Sequence, residues 1–219
     1  MPTEPPAAFA PHPTAVRLAD ATDADGILAV YAPYVEAPAT FEEAVPSPGA
    51  FRERIARIAD FYPVLVAEQA GCIVGYAYAH RQAERAAYDW NAELSVYLAP
   101  QARGRGIGRV LYAALIELVR LQGVKSAYAR VSLPNAPSAR LHEALGFGLM
   151  GVQKNAGWTC GAWHDVAWYA KPLAAFEDKP ERPVPFPRAA KCDPRGVDEA
   201  LARANATLSA AAAATPNGM

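Results

Sequence analysis

Residues 91–109 read Asn-Ala-Glu-Leu-Ser-Val-Tyr-Leu-Ala-Pro-Gln-Ala-Arg-Gly-Arg-Gly-Ile-Gly-Arg. The first eight alternate: Asn91, Glu93, Ser95 and Tyr97 share one face, and Ala92, Leu94, Val96 and Leu98 the other, the period of a strand. Beyond the turn, Ile107, Val110, Leu111, Ala114, Leu115, Leu118 and Val119 recur at helical spacing until Gly123 stops the run. Between them stand Gly104, Gly106 and Gly108. Glycine admits positive φ and lets backbone approach a ligand. The helix start adds unpaired N–H groups and the positive end of a dipole, an anion site suited to a pyrophosphate. Arg103, Arg105 and Arg109 add charge. The loop lacks the Gly-Lys-Ser/Thr ending of a nucleotide-triphosphate loop and the G-x-G-x-x-G spacing of a dinucleotide site. A glycine-rich turn with a helix cap is the plainer alternative.

Reading outward, residues 15–18 form a strand, and Asp20 or Thr22 caps a helix running to Val35. A second helix covers 48–60. Strands at 62–68 and Cys72–Arg81 flank the hairpin signal Ala70-Gly71. A strand at 126–131, a helix at 137–145 stopped by Gly146, and strands at 149–154 and 164–171 complete the pattern. Hairpins and helical crossovers together imply an α/β fold: a mixed, mostly antiparallel central sheet flanked by helices.

Hydrophobic residues make up 52% of the 219, enough for a core, while 21 Lys+Arg nearly balance 22 Asp+Glu. That balance argues against a nucleic-acid partner, which needs a cationic footprint. No apolar run is long enough to span a membrane. The three cysteines, Cys72, Cys160 and Cys192, lack metal-ligand spacing, so no metal is expected. They fit a reducing compartment, and the first residues lack the pattern of a secretory signal; both point to the cytoplasm. The 20 prolines cluster at the ends. Residues 1–13 are expected to be a disordered leader, 14–173 the domain, and 174–219 a Pro/Ala-rich, largely disordered tail in which 198–214 is a helix marginal on its own.

Two motifs carry a family resemblance. Arg103-x-x-Gly106-x-Gly108 resembles the pyrophosphate-binding signature of the GNAT acetyltransferases. The stretch Asn135-Ala136-Pro137-Ser138-Ala139-Arg140-Leu141-His142-Glu143-Ala144-Leu145-Gly146-Phe147 resembles the same family's second motif. A finer likeness, over roughly 16–173, is to phosphinothricin N-acetyltransferases and their methionine-sulfoximine-acetylating relatives. It rests on Ala39-Thr40-Phe41-Glu42, Ala87-Tyr88-Asp89-Trp90, Glu93-Leu94-Ser95-Val96-Tyr97, Leu133-Pro134-Asn135-Ala136-Pro137-Ser138, His142 to Phe147 and Trp163-His164-Asp165-Val166. The resemblance implies the GNAT fold and an acetyl-CoA-dependent N-acetyltransferase acting on a small amino acid or analogue. It implies that the amides of Gly104, Arg105, Gly106, Ile107 and Gly108, with Arg103 and Arg109, hold the pyrophosphate. Val96, Tyr97, Leu98, Asn135 and Ser138 would flank the pantetheine arm, where the strand splays from its neighbour.

Acetyl transfer needs an amine freed of its proton, a donor at the thioester oxygen and a proton for the leaving sulfur. Glu93 stands on a polar strand face just before the loop, which a solvated strand would also show. With the resemblance it becomes the general base, provided that burial raises its pKa. His142 takes the second acid–base role, His164 a structural one, and His80 is left at the surface. Phe41, Arg85, Tyr88, Ser95 and Tyr97 match positions lining the acceptor pocket, with Arg85 as an anion clamp. Ala83 stands where the resemblance leads one to expect lysine. One cation fewer favours methionine sulfoximine or sulfone over phosphinothricin, although Arg81 could substitute. The density of Trp158, Trp163 and Trp168 fits a homodimer interface. A non-catalytic CoA-binding or sensing module, and an acetyltransferase acting on proteins or other amines, remain alternatives.

Overall fold

The computed structural model describes residues 13–37 and 39–214. Seven strands form one sheet in the order β1-β2-β3-β4-β5-β7-β6. They are β1 (Thr14–Leu18), β2 (Val64–Gln69), β3 (Cys72–Arg81), β4 (Asn91–Leu98), β5 (Ser126–Ser132), β6 (Gly148–Thr159) and β7 (Ala162–Pro172). Neighbours run antiparallel except β4 and β5, which are parallel. This is the mixed sheet that the alternation of hairpins and crossovers predicts. Both hairpin turns have positive φ at their two central residues, Ala70-Gly71 and Cys160-Gly161. That is the turn whose twist matches paired strands.

Helices α1 (Ala24–Val35) and α2 (Pro48–Ala59) cover one face, burying Ile27, Val30, Phe51 and Ile55 against Val64, Val66 and Tyr76. Asp20 caps the turn before α1, accepting from Thr22 N, while the buried Asp23 takes two hydrogen bonds from Arg17 at 2.7 Å. On the other face lies α3 (Ile107–Leu121), its apolar stripe sunk among Leu65, Val74, Leu94 and Ala127. Each aliphatic side chain buried there stabilises by roughly 1.5–3 kcal/mol. Helix α4 (Ala136–Ala144) follows β5.

The tail departs from expectation. The leader lies, but for Pro13, outside the described residues. At the other end α5 (Phe186–Cys192) and α6 (Pro194–Ala214) are packed helices, not a disordered segment. Val197, Ala200, Ala204 and Leu208 form a buried stripe on α6 that joins the core beside α3. Alanines let the two helices approach closely. The backbone is also tied in: Val184 N donates to Gln122 O, and Phe186 N to Phe61 O. Weak as an isolated helix, α6 is held by this packing. Asn205 reaches the open edge of β1, accepting from Val16 N at 2.7 Å and donating to Val16 O at 2.9 Å.

Candidate active site

Strands β4 and β5 part company. They pair at Asn91–Ser126, Ala92–Ala127 and Glu93–Tyr128, and no further. Beyond that point β5 stays with β7 and β4 stays with β3, so a fork opens between residues 94–98 and 130–132. Backbone groups of Leu94, Val96 and Leu98 point into it, since alternate residues of a strand turn their N–H and C=O the same way. Leu94 O accepts from the Tyr112 hydroxyl at 2.9 Å. Leu98 is closed off: the Tyr34 hydroxyl donates to its carbonyl at 2.6 Å and accepts from its N–H at 3.0 Å. Val96 lies between them with no strand beside it.

Glu93 sits at the crotch, 5% exposed. Arg130 of β5 donates from Nε to Glu93 Oε1 at 2.7 Å, and His80 Nε2 of β3 lies 3.7 Å from the same oxygen. Burial pushes the Glu93 carboxyl up, but the neighbouring His80 and Arg130 outweigh it and hold it below the ordinary carboxylate range. The expected rise therefore does not occur, and His80 faces the site instead of standing apart at the surface.

His142 lies below the opposite face of β4, 4% exposed and boxed by Tyr112, Phe147 and Tyr169. Its Nδ1 is 2.8 Å from Ser138 O, a pure acceptor, so Nδ1 carries the hydrogen. Its Nε2 is 3.1 Å from the Tyr112 hydroxyl. Burial lowers the His142 pKa, which keeps the ring neutral. Tyr112 thus holds one hydroxyl hydrogen between two acceptors, Leu94 O and His142 Nε2.

The glycine loop leads from β4 into α3. Gly104 and Gly106 have φ of +73° and +78°, and nothing lies within 4 Å of where a Cβ would stand. Space and conformation both suit close approach of an anion to the first amides of α3. Gly108 is buried against Leu98 and keeps α3 close to β4. Arg103 stacks over the Tyr34 ring, Arg105 donates to Gln69 at 3.2 Å, and Arg109 is exposed on the helix. Asn135 caps α4, its side-chain oxygen accepting from Ser138 N at 3.2 Å.

On the Glu93 face, Ser95 and Tyr97 pair across the sheet with Tyr78 and Tyr76. The Tyr97 ring packs among Tyr31, Tyr34 and Tyr76. Phe41 lies against Gly157 of β6, where a Cβ would come within 2.7 Å of its ring, so the α1–α2 connection meets the β6–β7 hairpin. Tyr88 is exposed on a short turn, as is Arg85 ahead of it. Arg81 pairs with Asp89 at 3.0 Å and donates to Glu84 O at 2.7 Å.

A family model described as an acetyltransferase (GNAT) domain matches residues 16–168. The chain belongs to the GNAT acetyltransferases. The phosphinothricin N-acetyltransferase of Streptomyces viridochromogenes is 37% identical over 79% of this chain and 96% of its own length. The L-methionine sulfoximine/L-methionine sulfone acetyltransferase of Pseudomonas paraeruginosa is 35% identical over 70% of this chain and 91% of its own. The crystal structure of a GNAT phosphinothricin acetyltransferase from Sinorhizobium meliloti, in complex with AcCoA, superposes with a TM-score of 0.74. It is 36% identical and covers 78% of this chain and 95% of that one.

Three residues in contact with Glu93 or His142 escape the sequence reading. Tyr112 hides within an apolar helical stripe, where a hydroxyl looks incidental. Arg130 looks like a solvated cation on a strand. His80 is identified only by the β3–β4 register, which sets it directly opposite Glu93.

Proposed function

We propose that this GNAT enzyme moves the acetyl group of acetyl-CoA to the α-amine of a small amino acid carrying a polar head, of the methionine sulfoximine, methionine sulfone or phosphinothricin type. The observation that carries the reading is a buried carboxylate at the crotch of an open strand fork, next to a glycine loop that opens a helix. Relatives named for these acceptors support it. Acetyl-CoA supplies the activated acyl carbon, and the chain supplies everything else. The first amides of α3, from Gly104 to Gly108, hold the pyrophosphate. Val96 N–H is the free donor in the fork for the thioester oxygen. Glu93 takes the ammonium proton. His142 Nε2 accepts from the Tyr112 hydroxyl and holds it at the fork, and the departing sulfur takes its proton from water.

Phe41, Tyr88, Ser95 and Tyr97 line the acceptor side. Ala83 favours methionine sulfone or sulfoximine over phosphinothricin. The enzyme works as a homodimer in the cytoplasm. Trp158 and Trp163, each 60% exposed, with Leu149 and Met150 on the edge strand β6, support the pairing. Free exposed cysteines support the location. Sedimentation showing only monomer at micromolar concentration would refute the dimer.

The test is thiol release from acetyl-CoA with methionine sulfone, methionine sulfoximine, phosphinothricin and unrelated amines, beside calorimetric titration with acetyl-CoA. Turnover confined to the amino-acid analogues supports the reading. Binding without turnover on any amine points to a sensing module, and turnover only on peptide amines points to protein acetylation.

A further inference from the structure

The acceptor's acid group needs a cation, and the structure offers a different one from the loop arginine. The Arg85 backbone carbonyl accepts from Tyr88 N at 2.9 Å, while its side chain is exposed and shows no hydrogen bond to another described residue. Arg130 is placed otherwise. It stands on the Glu93 face of β5, two residues past the last β4–β5 pair, so its side chain spans the mouth of the fork. Its register partner across β5–β7 is Trp168, and its guanidinium lies over that ring at 5.4 Å. Stacking fixes the plane of the guanidinium. Of its five donors, the structure shows one engaged, Nε to Glu93, while the side chain is 49% exposed. A planar fork of donors, held on an indole and open to solvent beside the reacting carboxylate, is the arrangement that receives a carboxylate in bidentate fashion.

We propose that Arg130 is the specificity-determining cation of the acceptor site: it binds the acceptor's carboxylate, and in doing so exchanges its ion pair with Glu93 for one with the substrate. This rests on the small-amino-acid reading above.

The exchange solves a difficulty of the free enzyme. A carboxylate hydrogen-bonded to a guanidinium is a poor proton acceptor. When the acceptor's carboxylate takes the guanidinium, the Glu93 oxygen is released next to the incoming ammonium. Glu93 then accepts one proton from that ammonium, and the nitrogen lone pair forms the C–N bond as the C–S bond breaks. The nitrogen's second proton goes to water, and the sulfur leaves as a thiolate that takes one proton from water, so the reaction releases one proton in all. An amine without a carboxylate leaves the pair intact and reacts poorly. The groups on the Glu93 face are His80 and Tyr78 of β3, Tyr97 of β4 and Arg130 of β5, with Tyr112 of α3 under the opposite face. Of these, Arg130 alone is a permanent cation.

The experiment compares wild type, Arg130→Gln and Arg130→Lys with methionine sulfone and with its decarboxylated counterpart, 3-(methylsulfonyl)propylamine. Steady-state constants are taken from pH 5.5 to 9, and acceptor binding is measured by calorimetry with CoA present. In Arg130→Gln, the preference for the carboxylate-bearing acceptor in kcat/KM falls ten- to a hundredfold. The loss appears mainly in KM, and methionine sulfone binding weakens in step. The acid limb of kcat/KM moves to higher pH, because Glu93 loses its cation, and Arg130→Lys restores part of the preference. An unchanged preference, or equal losses for both acceptors, overturns the proposal. So does wild-type calorimetry in which the two acceptors bind alike. Absence of product from either acceptor in wild type counts against the small-amino-acid reading instead, while the calorimetry still decides the role of Arg130.

Discussion

His142 and Glu93 have opposite surroundings, and each departs from its ordinary acidity for a different reason. Around Glu93, burial raises and cations lower, and the cations win. Around His142, burial lowers, and the bond to Ser138 O opposes it only in part. A histidine held neutral in the fold stabilises above its unfolded pKa of about 6.5 and loses that contribution as pH falls below it. The unfolding free energy is therefore expected to be flat from pH 8 to 7 and to fall from pH 6.5 to 5, at up to about 1.4 kcal/mol per pH unit, with the thermal midpoint following it. A His142→Gln variant, less stable at pH 8, should lose less on acidification over the same window. Equal slopes for the two proteins would show that His142 does not titrate with unfolding. The depressed carboxyls of Asp23 and Glu93 act in the same direction at lower pH, below the ordinary carboxylate range.

At the scale of elements, the strand–loop–helix from β4 to α3 was legible because its two periods are uninterrupted and glycines mark the change between them. The β4–β5 fork was not readable from periodicity: where pairing stops depends on β7 holding β5 while β3 holds β4, and only the family resemblance anticipated it. Helix α6 was misjudged for a related reason. Its alanines carry little apolar area each, so the segment looks unable to fold; yet small size is what lets it lie close to α3. Asn205 shows how firmly the element is tied down, with two hydrogen bonds covering the edge strand β1. Asn205→Ala should cost roughly 1–3 kcal/mol, because it leaves the Val16 groups without partners. Denaturant titration checks this, and a variant as stable as wild type would mean that water replaces the amide at no cost.

For the whole molecule, the open sheet places its chemistry at one point. The fork, the glycine loop and the aromatic wall from β3, β4 and the α1–α2 connection converge near Glu93. Pattern and resemblance point to Glu93 and the loop, and the fold that they imply is the one observed. They do not point to Arg130, His80 or Tyr112, whose contacts with Glu93 and His142 come from register and from packing between elements distant in the chain. The central claim is that Glu93 is the base of an acetyl transfer. The most direct measurement is the single-turnover rate of methionine sulfone acetylation by wild type and Glu93→Gln at saturating acetyl-CoA, with acetyl-CoA affinity measured on both. The account predicts a rate roughly 10²–10⁴ lower in the variant with the affinity unchanged. A Glu93→Gln enzyme that turns over at the wild-type rate from pH 6 to 9 would contradict it.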